Sequence, residues 1–151
     1  MGAATALEAL GSFPDSLQEP VYQDLLQNFK FHAGNVSLYQ SNSYGKWHNL
    51  IKDPTTYLET SSTSMYLFSI LKGLEYDWLD RNIYLPIAQK AWSGLKDSID
   101  FDGTIFDIVG ETGIKDDPEG YDESSRDYAK SAPGLGAVLR AVASVIKFDL
   151  E

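Results

Sequence analysis

Apolar residues recur at three- and four-residue steps in two long stretches of the chain. Tyr84, Ala88, Ala91, Trp92, Leu95 and Ile99 form one stripe; Leu135, Val138, Leu139, Val142, Val145 and Ile146 form another. That period predicts helices over Asn82 to Ile99 and Pro133 to about Phe148, each with one buried face. Three more helices read from composition and punctuation. The first, Gly2 to about Leu10, is alanine-rich and stopped by Gly11-Ser12-Phe13-Pro14. The second runs from about Glu19 to Gln40, with Pro20 placed early, where its missing N–H costs nothing, and Gly34-Asn35 as a point of kinking or splitting. The third runs from about Thr60 to Leu74, and Pro86 is expected in the first turn of the fourth.

Two segments between these helices read as extended: Gly45 to Ile51 and Gly103 to Val109. Gly45 aligns with Gly103, Trp47 with Ile105 and Leu50 with Ile108, an offset of 103 − 45 = 58 residues. The chain therefore carries an internal repeat: amphipathic helix, glycine turn, short extended piece, loop, small-residue helix. The small-residue helices are Ala3 to Ala9, Ser61 to Ser69 and Ala132 to Ser144. Small side chains let helices approach closely, while amphipathic helices tolerate solvent on one face. Such a division suits the inner and outer rings of a helical toroid, and it equally suits a helical solenoid or bundle.

Composition narrows the partners. The chain has 151 residues, enough to bury a core, and 13% aromatic content argues against disorder. A net charge of −10 argues against nucleic acid and against an anionic membrane surface. A small acidic sugar remains compatible if a pocket supplies one or two cations, because salt screens the distant charges. Cysteine is absent, and two histidines, His32 and His48, are too few for a histidine-based metal site; no cofactor is expected. The start Met1-Gly2-Ala3-Ala4 lacks the pattern of a signal peptide, and no apolar run is long enough to span a bilayer. The compartment stays open, with the cytoplasm favoured. Asn35-Val36-Ser37 is a glycosylation triplet of a kind common by chance.

The richest stretch for chemistry is Tyr44 to Ser61. Thr60 or Ser61 can cap the third helix, which puts Glu59 beside a helix N-terminus that favours a carboxylate. Trp47 offers a ring for stacking on a sugar or for covering the core; His48 offers hydrogen bonds to hydroxyls or a structural role. Glu59 can orient the loop or take part in proton transfer. The acidic run Lys115 to Glu123 does not have the spacing of a calcium loop and reads as a solvated segment that lengthens the second loop and could rim a pocket. Arg126 and Lys130 follow it and can pair with those acids or reach a substrate carboxylate; Trp78 and Trp92 sit on helical stripes and read as core.

The run Gly45-Lys46-Trp47-His48, followed by Tyr57-Leu58-Glu59-Thr60-Ser61-Ser62-Thr63-Ser64-Met65-Tyr66, resembles the unsaturated rhamnogalacturonyl hydrolases. These are six-hairpin glycosidases related to the unsaturated glucuronyl hydrolases. Leu71-Lys72-Gly73-Leu74, Trp78-Leu79-Asp80, Ala88 to Leu95, Asp102-Gly103, Gly110-Glu111-Thr112-Gly113 and Pro133-Gly134-Leu135-Gly136-Ala137 continue the resemblance in order. It implies an all-α fold, a partial (α/α)6 toroid of about two and a half hairpins with short strand-like pieces in the inter-hairpin loops. It implies one domain over residues 1–151, the C-terminal part of such a barrel. It implies protonation and hydration of the C4–C5 double bond of an unsaturated uronic acid, after which the sugar collapses and releases its neighbour. One aspartate suffices as acid and base for that reaction.

The resemblance places that aspartate N-terminal to everything matched, so no catalytic residue is expected in this chain. The substrate-binding candidates are Trp47, His48, Tyr57, Glu59 and Thr60. The expected partner is an unsaturated uronic oligosaccharide, acted on only by a complete protein, and self-association through exposed helix flanks is expected as well. The alternative is a non-catalytic helical half-toroid that binds carbohydrate or a protein.

Overall fold

The computed structural model describes residues 1–110, 113–122, 126–127 and 132–150. The chain is mostly helical. Helix α1 spans Gly2–Gly11, a short 3-10 turn spans Pro14–Gln18, and α2 spans Pro20–Ser37. Strands β1 (Trp47–His48) and β2 (Leu58–Glu59) lead into α3 (Thr60–Glu75), followed by α4 (Arg81–Lys96). Strand β3 (Ile108–Val109), the short α5 (Pro118–Asp122), β4 (Arg126–Asp127) and α6 (Ala132–Phe148) complete the chain.

Burial sorts the long helices into two layers. Eleven of the sixteen residues of α3 are buried, against four of eighteen in α2 and four of sixteen in α4. Helix α3 lies between α1 and α6, α2 packs on α1 and α3, and α4 covers α3. The small-residue helices thus form the inner row. The buried Ser64 hydroxyl is satisfied by bonding back into its own helix, Oγ donating to the Thr60 carbonyl (2.8 Å). The main core joins Leu7, Phe29, Trp47, Leu67, Leu71, Leu95 and Val145. A satellite of Ile105, Ile108 and Val138 sits under the second loop.

The inner helices α3 and α6 are copies in register. They start 132 − 60 = 72 residues apart, and the aspartates that follow their ends, Asp77 and Asp149, are again 72 apart. Both aspartates adopt left-handed backbone (φ 54° and 55°), and the next N–H folds back onto the helix. Trp78 N donates to Gly73 O (2.8 Å) and Leu150 N to Val145 O (3.1 Å), satisfying carbonyls that a helix end leaves open.

Several expectations are corrected. Helix α2 runs unbroken through Gly34-Asn35, with Gly34 only skirting the Tyr84 hydroxyl. Pro86 lies in the second turn of α4 rather than the first. The cap of α3 is Glu59, not Thr60 or Ser61. The glycine turns keep the 58-residue offset, but the strands do not: β1 and β3 start 108 − 47 = 61 residues apart. The counterpart of Trp47 is therefore Ile108. The slip arises because Ile105 first bridges back to Ile99, three residues beyond α4, using three residues before the strand begins.

Candidate functional site

Strands β1 and β2 pair antiparallel, Trp47 opposite Glu59 and His48 opposite Leu58. The structure thereby brings Trp47, His48, Tyr57, Glu59 and Thr60 together at the entrance to α3. Two glycines allow this. Gly45 has φ +71° and passes so close to α4 that a Cβ there would lie 2.1 Å from the Lys90 carbonyl. A Cβ on Gly94 would lie 2.0 Å from the Tyr44 carbonyl. The chain crosses α4 where neither partner has a side chain, and the hairpin is pressed onto the inner row.

Glu59 is the knot. Its Oε1 accepts from Ser61 N (3.0 Å), Ser61 Oγ (2.8 Å) and Val109 N (3.0 Å), and its Oε2 accepts from Ser62 N (2.5 Å). It is 2% exposed. A carboxylate at a helix start answers both the orphan N–H groups and the positive end of the helix dipole. The bond to Val109 ties that start to β3 of the next unit. Thr60 continues the seam: its N–H donates to Asp107 O (2.8 Å) and its hydroxyl to Phe106 O (2.6 Å). Thr63 Oγ1 donates to Glu59 O (2.6 Å) and accepts from Trp47 N (3.2 Å).

Trp47 is wholly buried, its indole N–H donating to Val36 O (2.8 Å) and its ring edge-on to Tyr66 (5.1 Å). Tyr57 and Thr60 are buried as well. Stacking on a sugar needs a ring face open to solvent, and Trp47 has none here. His48 is the half-buried member of the set. Its Nδ1 lies 2.6 Å from the Thr56 carbonyl, which can only accept, so Nδ1 carries the proton and Nε2 holds a lone pair in the neutral ring. Burial raises the Tyr66 phenol above its ordinary value, and the Glu59 charge adds to that rise.

Sequence reasoning missed Lys46. It is buried, and its ammonium donates to Thr60 Oγ1 (3.0 Å) and Ser98 Oγ (2.6 Å). The only hint in the sequence was its place beside Gly45. Trp78 and Trp92 pack against the core at half exposure, Trp78 stacked on Tyr76 (4.9 Å).

The acidic segment forms one wall of an open groove of about 750 Å³ whose other wall is the β1–β2 loop. Asn49, next to His48, donates to Tyr121 O (3.0 Å) and joins the walls. Glu123, Lys130 and the Arg126 side chain lie outside the described residues, as do Glu111 and Thr112. Among the described residues, no group of three or more His, Asp or Glu could hold a metal, and no helix is long and apolar enough to cross a membrane.

Comparison with known proteins adds a family. The chain is 33% identical over 107 residues to an unsaturated 3S-rhamnoglycuronyl hydrolase of Formosa agariphila, covering 70% of this chain and 26% of that protein. It superposes with a TM-score of 0.85 on a possible member of the GH105 family from Salmonella enterica serovar Paratyphi A. That pair is 24% identical, over 96% of this chain and 36% of the other, a likeness that speaks for the fold alone. A glycosyl hydrolase family 88 protein of Bacteroides vulgatus matches at a TM-score of 0.76 and 28% identity, over 97% of this chain and 41% of that one. The chain thus spans about a quarter of the Formosa protein's length and about two fifths of the solved structures'. Glycosyl Hydrolase Family 88 matches residues 1–149, nearly the whole sequence, and the chain belongs to that family.

Proposed function

We propose that this chain serves a glycoside hydrolase acting on unsaturated uronic-acid oligosaccharides, as the C-terminal arc of a six-hairpin (α/α) barrel. Support comes from the family, the similarity to an unsaturated 3S-rhamnoglycuronyl hydrolase and the two-layer order of helices. The observation that carries the reading is the hairpin at the N-terminal end of α3, where His48 donates through Nδ1 and keeps a lone pair on Nε2, two residues before the loop that walls an open groove. His48 contacts the sugar. Trp47, Tyr57, Glu59 and Thr60 stand behind it as the buried frame that fixes the hairpin. Glu59 is not the acid of the reaction: its oxygens already accept four hydrogen bonds from groups that would lose their partner in any transfer. The proton donor is assigned to the part of the relatives' length that this chain does not span.

The test follows the absorbance of the conjugated double bond in an unsaturated rhamnogalacturonan disaccharide. The protein from its complete natural reading frame is expected to consume it and this chain alone is not. Turnover by the pure chain, or none by the complete protein, overturns the reading.

Self-association is proposed as well. Leu139 and Ile146 stand 59% and 74% exposed on α6, an apolar flank of the kind that drives association. Sedimentation equilibrium of the chain is expected to show dimers or larger species that dissociate in the L139K/I146K variant; a monomer at every concentration overturns it.

A further inference from the structure

What the hairpin offers a sugar depends on which groups around His48 can donate and which can only accept. Nδ1 gives its proton to the Thr56 carbonyl (2.6 Å), so the neutral ring presents Nε2 as an acceptor alone. Among the described residues no group bonds to Nε2, and the atom is not sealed from solvent. Asp53 stands on the same loop and accepts from Thr55 N (2.9 Å) and Thr55 Oγ1 (2.6 Å). The hydroxyl bond first, then the N–H bond, hold its carboxyl below the ordinary aspartate range, and His48 adds to that shift. Asp53 is therefore an anion at neutral pH, near enough for the ring to act on it.

The two cations between Gly45 and Glu59 are engaged elsewhere. Lys46 is buried and donates to Thr60 Oγ1 and Ser98 Oγ. The Lys52 ammonium lies 6.0 Å from the centre of the Tyr39 ring. What remains around His48 is a lone pair and a carboxylate. A uronate carboxylate can only accept, so here it would meet acceptor with acceptor beside a like charge. A sugar hydroxyl can donate, and it suits both.

We propose that His48 sets specificity for the neutral sugar of the substrate: its Nε2 accepts a hydroxyl proton from the sugar linked to the unsaturated uronic acid, and the uronate carboxylate lies away from the hairpin. This rests on the carbohydrate reading above and deepens it, since the hairpin then meets the sugar that is released and not the ring that is hydrated. A site that asks for a hydroxyl also rejects analogues without one, because its own polar group is left unpaired.

The probe is the unsaturated rhamnogalacturonan disaccharide, in which rhamnose is the neutral sugar, added to this chain at mildly alkaline pH. Long-range proton–nitrogen spectra of the imidazole should show the proton on Nδ1 in the free chain and a moving Nε2 resonance on addition. Magnetisation from the His48 ring protons should pass to the rhamnose methyl group and not to the vinyl proton of the uronate. His48→Asn keeps an amide that can donate to the Thr56 carbonyl but has nothing at the position of Nε2. It should leave amide exchange at Asn49 unchanged and weaken binding about five-fold, the contribution of one hydrogen bond. Should the variant loosen the hairpin and speed that exchange, the transfer measured in the parent decides. A proton on Nε2 in the free chain, transfer confined to the vinyl proton, no binding, or an intact H48N hairpin that binds as tightly as the parent would each overturn the proposal. A complete protein that leaves the disaccharide intact while the rhamnose contact persists would sink the hydrolase reading and leave this one standing.

Discussion

The two glycine turns begin alike and end differently. Gly45 and Gly103 both adopt left-handed backbone, at φ 71° and 83°. Around Gly45 the space is closed, with the Lys90 carbonyl where a Cβ would go; around Gly103 nothing lies within 4 Å. The first turn leads in two residues to a strand that is buried, capped and stitched to its neighbour. The second wanders back to Ile99 before its strand begins, and feeds a longer loop. One sequence signal, a glycine after an amphipathic helix, thus serves two ends: a packed crossing in one unit and a free bend in the other.

Alanine at both positions tests this most sharply. Gly45→Ala combines left-handed strain with collision against backbone and should cost about 3–5 kcal/mol in urea unfolding. Next in size is Glu59→Ala, which orphans the N–H groups of Ser61, Ser62 and Val109 and should cost about 2–3 kcal/mol. Because the same carboxylate holds both units, Glu59→Ala should also speed amide exchange at Val109; unchanged exchange there would separate the units. Gly103→Ala meets only the backbone penalty and should cost about 1–2 kcal/mol. Equal losses at the two glycines would erase the distinction between them.

The smallest effect concerns the inner row rather than the turns. Lys72 bridges Glu8 of α1 (2.6 Å) and Glu75 of its own helix (3.1 Å), and Lys147 of α6 reaches Glu75 (2.5 Å). The bond to Lys72 lowers the Glu8 carboxyl below its ordinary value against a burial penalty. At Glu75, burial pushes upward first, but the two lysines outweigh it and the net shift is also down. Carboxyls depressed in the folded state stabilise it fully above the ordinary glutamate value, about 4.3, and lose that contribution as pH falls through the folded values. Acid titration of E8Q/E75Q should therefore show a shallower loss of stability below about pH 4 than the parent, by less than about 1 kcal/mol since these groups are partly exposed. An identical acid profile would remove the network from the account.

The helices were legible because their signals are local. The stripe of Leu135 to Ile146, the alanines of α1 and the proline at the start of α2 each act within a turn or two of their own position, and the bounds of all five long helices fall within a few residues of expectation. What escaped depends on the other side of a contact. Nothing local marks Trp47 as buried while His48, one residue on, is half-buried; that is set by Val36 and Tyr66 across the fold. The bond between Glu59 and Val109 spans fifty residues, and the burial of Lys46 needs Ser98, two residues beyond α4. The three-residue slip of the second strand likewise follows from a bridge that the hydrophobic pattern does not encode.

The near-equal lengths of α3 and α6, 16 and 17 residues, carry a further consequence. The connection from outer to inner helix is 22 residues in the first unit (38–59) and 35 in the second (97–131), so the second unit holds 35 − 22 = 13 more residues between its two helices. The longer connection includes α5, while the inner helices differ by a single residue in length and the left-handed aspartates after them stay 72 residues apart, like their starts. Growth is confined to the rim while the supporting arcs stay at fixed gauge. A family built this way can remodel what it grips by lengthening a connection, and the frame that carries the load does not have to be redrawn.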